Sequence, residues 1–362
     1  MDAARSYVPS FVIRAGGVEL RHGFTADVLS VSLTDTCDRA DAFSFTLRDR
    51  HPEPGRFAGG GTFQWLDSGT FEEGKEVEIA LGYRGNEQQQ LLGVVTGISP
   101  TFPEGGQPTL TVRGYSLYQK LLVQCEIRPF RERTDSGIAR EVATRLGLEA
   151  RVDDTAAEHP LVSPREGTYA AILQQRATRI GYELVVKGRT LCFERPRYLA
   201  APGPALALEW GRSLKSFTPT LSTYRKVTHV TVRAAQTSQG RDKEPLVGTA
   251  APGDERVKLG RESASQIASR VAGRNEQLAD DHLAVSAQEA TEVALARLEA
   301  SSLEFVTGRG SCNGTPELSA RTVIELKGLG KQFSGSYYVT SATHTIDSGG
   351  YRTDFEVKRN GR

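Results

Sequence analysis

Apolar residues in roughly the first 125 positions recur with a period of two. Phe11 and Ile13 begin the series, and Gly16-Gly17 then offers a tight turn. Val31 and Leu33 alternate with Ser30, Ser32 and Thr34, and Phe43, Phe45 and Leu47 with Ser44 and Thr46. Val77, Ile79 and Leu81 alternate with Glu76, Glu78 and Ala80, and Leu110 and Val112 with Thr109, Thr111 and Arg113. A period of two puts each apolar set on one face of a sheet. Several such short strands between Gly-rich or polar turns predict a barrel or sandwich. The run Gly59-Gly60-Gly61 predicts a long loop.

From about 128 to 197 the period lengthens. Thr134 or Asp135 can cap a helix in which Ile138, Val142 and Leu146 recur every four residues and Gly147 supplies the stop. A second helix follows Thr168, with Tyr169, Ile172, Leu173 and Ile180 on one face and Gly181 at its end. Leu184 and Val186 then pair with Leu191 and Phe193 across a turn at Gly188. The segment reads as two helices and a hairpin.

Strand patterns resume near 206, with Val227, Val230 and Val232 in a strand-like run. Residues 236–260, polar and rich in Gly and Pro, predict a loop or mobile arm. Ser263 with Gln266, and Ser286 with Glu289, match capping boxes, the second opening a helix through Ala290, Val293, Ala294 and Leu298. Between 303 and 358, the runs 322–326, 337–340 and 355–357 are rich in β-branched and aromatic residues. The expected fold class is α+β and β-dominated: a β-module at 1–127, an α/β module at 128–200, and a second β-module at 201–362 with a loop and helical insertion at about 236–300. No short-period repeat suggests a solenoid or propeller.

Composition narrows the function. The chain has 362 residues, 38% hydrophobic and 25% charged, near the average of a soluble globular protein. A net charge of +1 with no basic block argues against specific nucleic-acid binding. The polar first ten residues carry no secretory signal, and no stretch is apolar enough for a membrane helix. Membrane insertion is not expected, and assembly in the cytoplasm is. Cys37, Cys125, Cys192 and Cys312 lie far apart without a paired motif, and are expected to be buried free thiols.

The chemical motifs are weak. Gly69 to Lys75 has GxxxxGK spacing, but Glu76 follows where a phosphate loop needs Ser or Thr, and the next residues are strand-like. Gly328 to Phe333 begins like GxGxxG but lacks its third glycine, and predicts a tight turn. The six histidines show no metal-ligand spacing, and His344 reads as a hydrogen-bonded strand histidine. Asp153-Asp154 and Asp280-Asp281 read as loop-solvating pairs. No catalytic, cofactor-binding or metal-binding residue is assigned, no cofactor is expected, and the chain reads as a non-enzyme.

The run Gly328-Leu329-Gly330-Lys331-Gln332-Phe333-Ser334-Gly335-Ser336-Tyr337-Tyr338-Val339-Thr340-Ser341-Ala342-Thr343-His344, followed by Gly350-Tyr351-Arg352-Thr353-Asp354-Phe355, closely resembles the end of the phage late control protein D family. That family includes tail-hub proteins of contractile phages and the N-terminal hub part of VgrG, the type VI secretion spike protein. Shorter resemblances follow in the family's order: Arg113 to Leu117, Arg128-Pro129-Phe130, Ile180 to Leu184, and Phe217-Thr218-Pro219.

The resemblance implies that the β-modules at 1–127 and 201–362 are two tube-like β-barrel domains with the α/β module between them. It also implies a baseplate hub: a homotrimeric ring of six similar barrels that adapts a hexameric tail-tube protein to a trimeric spike, beside other baseplate proteins. The chain stops at Arg362, where VgrG-type relatives continue into an OB-fold and a β-helical spike. A separate spike protein is therefore expected, in a phage tail, a tailocin or an extracellular injection particle. A tail-associated cell-wall hydrolase and a glycan-binding particle module remain the alternatives. The first lacks a visible nucleophile or carboxylate constellation, and the second has only Trp65 and Trp210, far apart, as tryptophan platforms.

Overall fold

The structure is a computed structural model describing residues 8–20, 23–49, 63–125, 128–163, 167–224, 226–234 and 245–362. The loop expected at Gly59-Gly60-Gly61 and residues 236–244 of the expected arm lie outside the described residues.

The first barrel contains β1 (Pro9–Ala15), β2 (Val18–Glu19), α1 (Gly23–Asp27), β3 (Val28–Thr36), β4 (Ala42–Arg48), β5 (Glu76–Tyr83), β6 (Asn86–Thr101) and β7 (Thr109–Ser116). Gly16 and Gly17 both have positive φ, as a two-residue hairpin turn requires. The strands hydrogen-bond in the order β3-β4-β7-β6-β5-β1-β2. The alternating apolar residues point inward: Val31, Phe45, Leu47, Val77, Leu81 and Val112 are all fully buried. Phe43 lies flat on two glycines. A Cβ on Gly114 would stand 2.4 Å from its ring, and one on Gly93 2.8 Å.

The α/β segment follows: α2 (Gln119–Val123), β8 (Phe130–Thr134), α3 (Asp135–Arg145), β9 (Glu149–Val152), β10 (Glu158–Val162), α4 (Tyr169–Ile180), β11 (Glu183–Lys187) and β12 (Thr190–Glu194). Both predicted N-caps are present. Thr134 Oγ1 accepts from the Gly137 amide at 3.0 Å, and Thr168 Oγ1 from the Ala171 amide at 3.2 Å. Gly181 ends α4 in the left-handed region, φ 72°. The predicted hairpin has the expected register, Leu184 opposite Phe193 and Val186 opposite Leu191. A 3₁₀ turn at Arg197–Ala200 leads out of it.

β13 (Leu206–Glu209) and β14 (Leu214–Leu221) open the second barrel. The chain then leaves it through β15 (His229–Ala234), β16 (Leu246–Ala250), α5 (Ala264–Ala272), β17 (Glu276–Asp280) and α6 (Ala287–Leu303). It returns as β18 (Val306–Asn313), β19 (Val323–Lys327), α7 (Gly330–Phe333), β20 (Gly335–Asp347) and β21 (Gly350–Arg359). The fold is β-dominated with a large, mainly antiparallel sheet, as the sequence predicts. Phe217 and Phe355 repeat the aromatic-on-glycine packing of Phe43. Cβ atoms on Gly308 and Gly310 would each stand 2.5 Å from their rings.

Three details differ from expectation. Within 236–260, residues 246–250 form β16, antiparallel to β15. A Cβ on Gly248 would stand 2.1 Å from the Ala290 carbonyl carbon, so a glycine lets this strand lie directly on α6. The Gly328 turn continues into the one-turn helix α7, which local polarity does not signal. The Ser263 capping box forms both bonds, but the Ser286 box forms one: Glu289 turns its carboxylate to the Val285 amide and to Arg179 instead. In sequence the β15–α6 segment interrupts the second barrel. In space its Val230, Val232, Val293 and Leu298 share one core with Ile138, Leu173 and Leu184 of the α/β segment.

Candidate assembly surface

The barrels meet along one strand. β21 covers one edge of β20 throughout. The other edge pairs first with β19 (Leu326 to Val323 against Gly335 to Tyr338) and then with β3 (Ser341 to Ile346 against Thr36 to Val31). The change of partner coincides with a bulge between Val339 and Ser341, where Thr340 accepts the Cys37 amide at 3.1 Å. A bulge bends the strand and re-aims it, so β20 leaves one group of strands and joins the other. Thr34 and Thr343 place hydroxyls 3.1 Å apart across this seam, and Ser32 and Thr345 3.4 Å. The result is a single thirteen-stranded sheet whose main path runs from β14 to β2.

An ionic junction holds the hairpin β11–β12 against both barrels. Arg321, buried and at φ 65°, donates to Glu183 at 2.6 Å and to Glu194 at 2.8 Å. Tyr338 donates to the second Glu183 oxygen at 2.6 Å. Burial raises the Glu183 carboxyl above its ordinary value, against the pull of Arg321. On the other side Lys187 binds Asp35 and also Asp41, at 2.8 Å. Burial pushes Asp41 up to about 6, with Lys187 opposing. Asp35 also accepts the Ala320 amide at 2.9 Å. A buried ion pair broken on one side leaves an uncompensated charge, so these contacts fix the hairpin's place.

A second buried cluster ties α3, α4 and the β15–α6 segment together. Arg176 binds Asp135, while Arg179 binds Asp281 at 2.7 Å and Glu289 at 2.6 Å. His159 lies 3.5 Å from Glu289, and burial, reinforced by Arg176, holds it below its ordinary value. Asp281 therefore does not solvate a loop; the fold brings Arg179 to it from α4. Asp153 and Asp154 are surface residues, receiving the Arg195 amide at 2.9 Å and Arg140 at 2.5 Å.

The remaining motif residues are structural. Lys75 donates to the Gly69 carbonyl at 2.8 Å and leads into β5, so the GxxxxGK segment closes on itself. His344 is buried in β20, between Tyr351 Oη at 2.9 Å, Thr353 Oγ1 at 3.1 Å and the Leu318 carbonyl at 2.9 Å. Burial lowers it to about 4. The four cysteines are free thiols, Cys192 and Cys312 buried, but Cys37 is half-buried and Cys125 exposed, contrary to expectation. Among the described residues, no group of three His, Cys, Asp or Glu side chains could hold a metal ion. Among them too, no helix is long and apolar enough to cross a membrane.

Among the described residues β18 is the one strand that pairs with β14, whose outer edge carries a single bridge, from Leu214 to Trp210, and is otherwise open. Lys215 and Pro219 on that edge disfavour uncontrolled strand addition. Val247 on β16 and Leu278 on β17 are exposed on the small sheet formed with β15, and Trp210 projects beside the Gly328 turn. Sequence reasoning missed Lys187, Glu183, Arg321 and Arg179, whose partners lie more than 100 residues away.

Comparison places this architecture. No curated protein matches the chain in sequence. A 43 kDa tail protein of prophage MuSo2 from Shewanella oneidensis has the same fold, with TM-score 0.69, 15% identity and coverage of 97% of this chain and 98% of that one. A tail protein of Neisseria meningitidis MC58 gives TM-score 0.69, 14% identity and coverages of 98% and 97%. An E. coli component of the type VI secretion system, described as similar to the T4 tail proteins gp27 and gp5, gives TM-score 0.57, 11% identity and coverages of 96% and 76%. The fold is thus one found in phage tails and in type VI secretion. The family model described as the Alg8 N-terminal domain matches residues 6–348. The chain belongs to the Alg8 N-terminal domain family.

Proposed function

We propose that the chain is a structural, non-catalytic hub of a contractile injection machine or phage-tail baseplate, akin to late control protein D and the hub part of VgrG. Three copies close head to tail into a ring of six barrels. The ring meets a hexameric tube on one face and a trimeric spike on the other, beside further baseplate proteins. Its working parts are a first barrel in 1–127, an α/β module in 128–200, and a second barrel domain in 201–362. It assembles in the bacterial cytoplasm and ends in the particle.

The observation that carries this reading is the β3–β20 seam, which joins two groups of strands into one sheet within one chain and which we read as two barrels side by side. A subunit so built contributes twice to its ring, so threefold symmetry yields six barrels. A cyclic ring needs head-to-tail contacts between two different surfaces, and the main sheet path ends in a different barrel at each side. The fold shared with tail proteins agrees with it. Light scattering and electron microscopy on the chain mixed with its tube and spike proteins test it. The expected result is a trimer showing six barrel densities; a chain that stays monomeric with both partners overturns the reading.

A further inference from the structure

On the second barrel's flank a cavity of about 830 Å³ opens between the 3₁₀ turn at 197–200, the segment 257–261, α7 and the ends of β20 and β21. Lys258, Arg261, Lys331, Arg359 and Arg362 line it, and no Asp or Glu side chain does. Among the described residues none of these five forms an ion pair. For a chain of net charge +1 this is a marked local segregation. Four of the five are exposed, but Arg359 is only 5% exposed. It donates to the Ser334 carbonyl at 3.1 Å and lies over the Tyr337 ring at 5.3 Å, while its Nε has no partner. A buried donor of a charged group left unpaired is unfavourable, as is crowding cations where water is partly excluded. An anion in the cavity relieves both.

We infer that this cavity binds an acidic polypeptide segment of a partner protein. Its floor is apolar: Val257, Leu259 and Val323 pack there with Tyr198 and can receive side chains between the carboxylates. Stacking of a nucleotide base needs an open aromatic face. Tyr198 is 3% exposed and set edge-on to Tyr338 at 5.0 Å, so it offers none. Phosphate recognition by backbone amides needs a glycine-rich loop opening a helix, whereas α7 has only four residues. Carboxylates spaced along a chain, with apolar residues among them, fit a mixed basic and apolar lining. The inference goes beyond the ring and concerns a surface each subunit carries.

Fluorescence anisotropy tests it on the full chain, with labelled short peptides of Glu and Leu, the same peptides with Lys for Glu, and an oligothymidylate. The Glu peptide should bind saturably and weaken with salt, and the Lys peptide should not bind. Lys258→Glu with Lys331→Glu, both surface changes, should weaken binding about tenfold or more, equivalent to 1.4 kcal/mol, with the circular dichroism spectrum unchanged. Arg84→Glu, an exposed cation elsewhere, should not. Absence of saturable binding, equal loss in the Arg84 variant, or tighter binding of oligothymidylate overturns the inference. The readout does not depend on oligomeric state, so it stands or falls separately from the ring.

Discussion

Arg321 donates to Glu183 at 2.6 Å although 138 residues separate them, tying the second barrel to the β11–β12 hairpin. The arginine is 2% exposed at its side chain and the glutamate 11%. Arg321→Met strands Glu183, whereas Glu194 keeps its pair with Arg151. Loss of one member of a buried pair typically destabilises by about 3–5 kcal/mol. Denaturant unfolding should show that loss, and the double change Arg321→Met with Glu183→Gln should recover part of it. A loss within experimental error would mean the junction does not hold the modules together.

The aromatic-on-glycine contacts make a second prediction. Gly310→Ala places a methyl 2.5 Å from the Phe355 ring and 3.0 Å from the Ser216 carbonyl oxygen. Overpacking of this kind costs about 1–3 kcal/mol. Phe355→Leu in the Gly310→Ala background should restore more stability than it removes from the native chain. A lower melting temperature in the single variant, partly recovered in the double, is the expected result.

His344 gives a pH dependence. Its folded value, about 4, lies below its ordinary 6.5. The unfolded chain therefore takes up a proton first as the pH falls. The neutral-histidine contribution is intact above pH 6.5 and fades between 6.5 and 4, by about 3 kcal/mol at about 1.4 kcal/mol per pH unit. Replacing His344 by Gln should flatten the acid limb of the stability curve in that window. His159 acts in the same direction and Asp41 in the opposite one, but both are common to the two proteins, so the difference between them isolates His344.

Thiol accessibility is a fourth test. In native protein, Ellman's reagent should modify Cys125 first and Cys37 more slowly. Cys192 and Cys312 should react only after unfolding, since both are buried and burial pushes Cys312 up to about 11. Rapid native reaction at Cys312 would contradict the packing of the second barrel.

Much of this was legible in the chain. The alternation at Phe43, Phe45 and Leu47 sets their inward face because a strand repeats every two residues. Thr134, Thr168 and Ser263 mark helix starts because a hydroxyl there satisfies a free amide three residues on. Gly181 marks a stop because its φ of 72° suits a residue without a side chain. The strand β16 escaped notice because Leu246 and Val247 are a lone apolar pair in a stretch of polar, Gly and Pro residues and Gly248 breaks any alternation after them; the fit of Gly248 appears only against α6.

Local chemistry, set by neighbours within a few residues, therefore determined the elements, their caps and the β-dominated class. The tertiary structure alone decided that β20 trades β19 for β3 at Thr340, that Asp281 meets Arg179, and that five cations surround one cavity. These pairings join positions tens to hundreds of residues apart, where the energy depends on burial and distance in the folded chain, and neither quantity exists along the sequence.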